Sequence, residues 1–180
     1  NHKEEINIGS VKESKEYTLQ FPLASIAAPV LIDNIFYDLD KASLRPESAT
    51  ALDKLVALLN ENPHITIELS ANCDYRGNDE YNKILSQKRA ETVVKYLINK
   101  GIAADRLTAV GYGKENPKTI KRKLTEKYDW LKEGDQLTAE YIKKLSKDKQ
   151  EICNQLNRRT EFRVIRTTYG LFDKNGKLKE

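Results

Sequence analysis

The stretch Ile65-Thr66-Ile67-Glu68-Leu69-Ser70-Ala71 is followed by a polar loop from Asn72 to Asn78 and then by Tyr81, Leu85, Val93 and Leu97, so the hydrophobic period changes within some thirty residues. In the first seven residues apolar and polar side chains alternate, the two-residue period of a strand with one buried face. From about Asp79 the apolar positions recur at helical spacing, and Gly101 stands where a residue without a Cβ permits a left-handed C-terminal cap. Strand, loop and helix in this order form half of an α/β unit.

Upstream, Val30-Leu31-Ile32-Asp33-Asn34-Ile35-Phe36-Tyr37 is rich in β-branched and aromatic residues and predicts a strand that gives way to Asp38-Leu39-Asp40 and a polar loop. Pro46 and Glu47 suit a first helical turn, and Ala49, Leu52, Leu55, Val56 and Leu59 continue a helix that Asn62-Pro63 stops. Downstream, Arg106 to Tyr112 reads as a third strand and Thr160 to Thr168, with Phe162, Val164 and Ile165, as a fourth. Between them lies an insertion, about residues 117–155, longer than an ordinary connection. It carries Lys118, Lys121, Arg122, Lys123 and Lys127 and predicts a helix from about Ala139 to Gln155. That basic run reads either as a solvated face or as a contact for an acidic partner. Residues 1–28, with a weak alternation at Tyr17, Leu19 and Phe21, read as a linker or the edge of a preceding domain, the main domain as 29–170, and 171–180 as a tail.

With 180 residues, 39% of them hydrophobic, the chain supports one sizeable core rather than two ordinary domains. No stretch approaches the ~18 consecutive apolar residues of a membrane span, and no signal-peptide pattern opens the chain. It contains no methionine, so the expectation is the mature or excised end of a longer protein whose address lies upstream. A net charge of +4 on a chain that is 32% charged argues against a dedicated nucleic-acid binder. Cys73 and Cys153, with only His2 and His64 beside them, are too few for structural zinc.

Arg89 falls four residues after Leu85 and four before Val93, which puts a guanidinium in line with the buried stripe of the helix. Asn82, seven residues earlier, projects along the same line, so a polar track crosses an apolar face. An unpaired charge there is costly, and a carboxylate is expected nearby, from the protein or from a ligand. Asp74, in the loop leaving the second strand, is placed where α/β folds put ligand-binding groups. Two readings are open: a structural salt bridge, or a clamp whose carboxylate accepts an ammonium while its guanidinium holds a carboxylate, matching the two ends of an α-amino acid.

The run Asp74-Tyr75-Arg76-Gly77, then Asn82, Leu85-Ser86, Arg89-Ala90 and Val93, closely resembles the OmpA-like peptidoglycan-binding domain, whose pattern is Asp-x-x-Gly, Asn, Leu-Ser and Arg-Ala at these spacings. The resemblance extends to Phe36 and Leu44-Arg45-Pro46 upstream. Downstream it takes in Gly101-Ile102, Arg106-Leu107, Gly111-Tyr112-Gly113, Asn157-Arg158-Arg159 and Glu161, so that roughly residues 30 to 168 are covered. It implies a two-layer α/β sandwich, with helices on one face of a mixed sheet and a helical insertion before the last strand. It also implies that Asp74 meets the amine, and Arg89 the carboxylate, of diaminopimelate in the peptide stem. Asn82 and Leu85 would line the same pocket with Tyr37 and Asp38, and Asn157 and Arg158 would support it. The insertion resembles that of larger multidomain outer-membrane lipoproteins, some tied to type IX secretion, so the implied setting is periplasmic and associated with the outer membrane. The implied partners are peptidoglycan and other envelope or secretion proteins, with no nucleic acid and no cofactor.

One departure is the approach to the aspartate. The family commonly has Gly-His-Thr there, and this chain has Ala71-Asn72-Cys73. Cys73 adjoins the site and Cys153 lies four residues before Asn157, so a disulfide between them and two free, partly buried thiols are both open. Hydrolysis lacks support, because no histidine, second carboxylate or nucleophile stands at a recognisable spacing from Asp74. Gly111-Tyr112-Gly113 matches only the start of a dinucleotide fingerprint, and Pro117 spoils the helix that should follow. A protein-interaction module using the basic insertion and the N-terminal extension is the alternative function.

Overall fold

In the computed structural model, which describes residues 29–32, 35, 37, 41–173 and 176–179, four strands form one sheet: β1 (Val30–Leu31), β2 (Thr66–Asn72), β3 (Leu107–Gly113) and β4 (Arg159–Arg166). Their spatial order is β1-β4-β2-β3, with β2 parallel to β3 and antiparallel to β4, and β4 antiparallel to β1. Helix α1 (Ala49–Glu61) precedes β2, and α2 (Asp79–Asn99) makes the crossover from β2 to β3. The sheet is therefore mixed, with both helices packed on one face. Residues 1–28 and Asp38 lie outside the described residues.

The core follows from the two periods. Ile67 and Leu69, alternate residues of β2, meet Leu52, Leu55 and Leu59 of α1 and Val93 and Leu97 of α2. Both helix ends are satisfied locally. Asn78 caps α2 by accepting from the Tyr81 N–H at 3.0 Å, and Gly101 follows the helix at φ +94, the left-handed conformation its missing Cβ permits. At the end of α1, buried Arg106 donates to the Leu59, Asn62 and Ile65 carbonyls at 2.9, 2.8 and 3.0 Å, which supplies donors for carbonyls the helix leaves open.

The expectation that β2 buries one face is corrected: all seven of its residues are buried. On the side away from the helices, Glu68 lies opposite Arg163 of β4, pairs with it at 2.8 Å and accepts from the Tyr112 hydroxyl at 3.0 Å. Asn72 lies opposite Arg159 and accepts from Asn116 at 3.1 Å. Long polar side chains from the neighbouring strands thus close over the middle strand. A period of two reports which residues share a face, not what covers it.

Strand β3 is an edge of the sheet, and α2 covers it with polar side chains. Gln87 Oε1 accepts from the Gly111 N–H at 2.7 Å, and Ser86 Oγ accepts from the Gly113 N–H at 2.8 Å. The approach is so close that a Cβ added at Gly111 would lie 2.1 Å from the Gln87 backbone nitrogen.

Between β3 and β4 stand α3 (Arg122–Lys127), α4 (Ala139–Lys143) and α5 (Lys147–Asn157). The single helix expected from Ala139 to Gln155 is two helices. The chain turns through a Leu145 N–H bond to the Ile142 carbonyl, and Ser146 is extended at φ −63, ψ 156 before α5 begins. Ile120, Leu131, Leu137, Ile142 and Cys153 form a second small core here, with Tyr75 of the loop after β2 packed against it. Two members of the basic run are engaged within the chain, Lys118 with Glu161 at 2.8 Å and Lys127 over the Tyr128 ring at 5.2 Å.

Cys73 and Cys153 are free and buried in this structure. The Cys73 thiol donates to the Asn82 carbonyl at 3.6 Å, whereas Cys153 belongs to the second core, where burial pushes its pKa up to about 11. Cys153 is therefore expected to ignore an aromatic disulfide reagent at pH 8 in the native protein and to react once unfolded, because the thiolate is the nucleophile. Mass spectrometry of the labelled chain checks this, and rapid native labelling of Cys153 would contradict its placement.

Candidate functional site

The parallel strands β2 and β3 end on the same side, and the loop leaving β2 carries Asp74 into a cleft of about 490 Å³ there. The loop is held from within. Gly77 adopts φ +80, and the Asn82 side-chain amide donates to the Arg76 carbonyl at 2.7 Å. Both oxygens of Asp74 are engaged: Oδ1 accepts from the Arg76 N–H at 2.9 Å and from its Nε at 3.2 Å, and Oδ2 from Arg76 Nη2 at 2.7 Å and Arg158 Nη1 at 2.5 Å. Burial pushes the Asp74 carboxyl up, but Arg76, through side chain and backbone, and then Arg158 outweigh it and hold the group below the usual carboxylate range. It stays ionised at neutral pH.

Across the cleft, half-buried Arg89 is fixed at two points. Its Nε donates to the Lys41 carbonyl at 3.1 Å, and its guanidinium carbon sits 4.8 Å from the centre of the Tyr37 ring. Among the described residues no carboxylate pairs with it. Tyr37 is in turn steadied by its hydroxyl against Thr160 Oγ1 at 3.2 Å, and burial raises its pKa. The Nη edge of Arg89 is thus pre-oriented, the geometry that suits a planar carboxylate.

The structure brings Asp74, Asn82, Leu85, Arg89 and Arg158 to one cleft. Tyr37 lines a neighbouring cleft of about 410 Å³ that shares Arg89 and Arg158 as its wall. Asp38 lies outside the described residues. Asn157 is a correction: it faces the insertion, where its Oδ1 accepts from the Lys118 N–H at 2.8 Å and its Nδ2 donates to the Leu137 carbonyl at 2.9 Å. A salt bridge between Asp74 and Arg89 is likewise not the arrangement, since the partners of Asp74 are Arg76 and Arg158. Sequence reasoning missed Arg76 and Glu151. Glu151, on α5, accepts from Arg76 Nη1 at 3.2 Å and from Arg158 Nη2 at 2.8 Å. The one sequence signal was for Arg76, a charge inside the Asp-x-x-Gly pattern.

A family model described as the OmpA family matches residues 36–129, more than half of the 180-residue chain. The chain belongs to the OmpA family. Among its OmpA-family relatives, outer membrane protein P5 of Haemophilus influenzae is 32% identical over 120 residues, which cover 62% of this chain and 34% of that protein. The peptidoglycan-associated lipoprotein of Mesorhizobium japonicum is 36% identical over 88 residues, covering 49% of this chain and 52% of the relative. The chain thus spans between a third and about half of these relatives. The crystal structure of the peptidoglycan-associated lipoprotein from Burkholderia pseudomallei superposes with a TM-score of 0.51 at 26% identity, over 72% of this chain and 87% of that one. The cell wall anchor of the type VI secretion system from Pseudomonas aeruginosa shares the OmpA-family fold, with a TM-score of 0.51 at 22% identity over 77% of this chain and 79% of its own.

Proposed function

We propose that this chain binds peptidoglycan without cutting it, through diaminopimelate in the peptide stem, and so anchors an envelope protein or complex to the cell wall. The observation that carries the reading is the state of Arg89. Its guanidinium is held by a backbone carbonyl and an aromatic face, has no carboxylate partner among the described residues, and opens onto a cleft whose other wall presents an ionised carboxylate. Such a site matches the carboxylate and the ammonium of one amino-acid centre. Family membership, with relatives that include peptidoglycan-associated lipoproteins, supports the same reading.

Catalysis is disfavoured chemically. Asp74 is surrounded by guanidinium groups that lower its basicity, so it makes a poor general base. The implied setting is the periplasm, next to the outer membrane. The finer assignment, a multidomain outer-membrane lipoprotein working with a type IX secretion apparatus, rests on the resemblance of the insertion alone.

Diaminopimelate differs from lysine by one additional carboxylate, the group assigned to Arg89. Co-sedimentation with purified sacculi therefore tests the reading. The chain is expected to pellet with diaminopimelate-type sacculi and to remain largely in the supernatant with lysine-type sacculi. Equal retention on both would overturn the diaminopimelate assignment.

A further inference from the structure

Asp74 accepts four hydrogen bonds, two at each oxygen. A carboxylate offers about four acceptor positions, so a ligand ammonium finds none vacant. Three of the four bonds come from Arg76, one through its backbone N–H and two through its guanidinium, and the fourth comes from Arg158. The seat that an ammonium would take is already held by a cation of the chain itself.

Glu151 contacts both of the guanidinium groups involved, Arg76 Nη1 at 3.2 Å and Arg158 Nη2 at 2.8 Å. It stands on α5 of the insertion, and its side chain is 46% exposed. The Arg76 side chain is 52% exposed, so it can swing without disturbing buried packing. Asp74, by contrast, is fixed in the held loop, with a side chain only 10% exposed.

We propose that Arg76 is an internal stand-in for the ligand ammonium and that Glu151 is the acceptor onto which Arg76 moves when the ammonium binds. The proposal rests on the reading of the cleft as a diaminopimelate clamp. The exchange conserves charge pairing: the ammonium replaces the Arg76 guanidinium on Asp74, and that guanidinium, already touching Glu151, completes its pairing there. The insertion thereby contributes a specificity-determining residue to a site whose other parts lie in the main domain. The expected cost is a competent fraction below one, which lowers the apparent affinity by that fraction. A neutral amide in place of the ammonium gains nothing from displacing Arg76 and is rejected.

The two residues predict opposite effects. Calorimetric titration of the full chain with a soluble muropeptide bearing a diaminopimelate tripeptide stem is compared with titration by the same muropeptide acetylated on the diaminopimelate amine. Arg76→Ala removes the competitor and is expected to tighten binding of the free-amine muropeptide by about two- to fivefold, the range an exposed ion pair commands. Glu151→Gln removes the refuge and is expected to weaken that binding by a similar factor. The ratio of free-amine to acetylated affinity should rise in the first variant and fall in the second. Shifts of the same sign in both variants, or a ratio that moves in neither, overturn the exchange while leaving wall binding intact. Failure of the wild-type chain to bind the free-amine muropeptide overturns both readings together. Amide-proton chemical shifts of Gly77 and Asn82 verify that each variant keeps the loop folded.

Discussion

Arg89→Ala is expected to weaken binding to diaminopimelate-type sacculi by about 100-fold, because truncating one side of a desolvated charge pair typically costs 2–5 kcal/mol, and about 3 kcal/mol corresponds to that factor. The fold should survive. Among the described residues Arg89 touches the Lys41 carbonyl and the Tyr37 ring, and both contacts belong to a half-buried side chain rather than to the core. Arg89→Lys keeps the charge and loses the planar fork, so it should bind at an intermediate level, roughly tenfold weaker than wild type. Asp74→Ala is a less clean probe, since it also strips Arg76 and Arg158 of one of their two shared acceptors and loosens the loop. Co-sedimentation at several protein concentrations, with thermal unfolding alongside, measures both quantities. Near-wild-type retention of Arg89→Ala with an unchanged melting temperature would remove Arg89 from the site.

The largest effect on stability is expected at Gly111. A methyl group there would fall 2.1 Å from the Gln87 nitrogen and 2.5 Å from its Cα, and these are backbone atoms that cannot rotate away. Gly111→Ala must push α2 off β3 or bend the strand, breaking the bonds that the strand amides donate to Gln87 and Ser86. Overpacking of this kind costs about 1–3 kcal/mol when side chains can adjust and more when backbone must move, so about 3 kcal/mol or more is expected. For a chain of this size that is a fall of about 6–12 °C in melting temperature. Denaturant and thermal unfolding curves check it. A loss under about 1 kcal/mol would show that the helix and strand have slack that the structure does not display.

These two positions differ in how far the sequence revealed them. Arg89 was legible because a charge interrupts a stripe of known period, and the need for a counter-charge follows from electrostatics. Asp74 was legible as the carboxylate at a strand end. The partners were not. Arg76 meets Asp74 through a loop conformation set by Gly77 and Asn82, and no periodicity describes a loop. Glu151 reaches the site from 75 residues away. The Lys41 carbonyl is backbone, and backbone atoms leave no mark in a sequence. Asn157 was assigned with Arg158 because the resemblance carried both, yet successive residues at a helix-to-strand junction face opposite ways, and only Arg158 faces the cleft. The fold was read more fully, since the strands and main helices obey two simple periods. The helix break at Ser146 escaped because apolar spacing continues across it.

The closure of β3 by Gln87 and Ser86 reaches beyond packing. An uncovered strand edge is a template onto which another chain can add its own strand. With the Gly111 and Gly113 amides already engaged, that side of the sheet cannot serve as one. Many copies crowded along one surface can then lie side by side without stitching their sheets into a ribbon across β3. Neighbouring copies of this chain would then stay separate molecules along that edge.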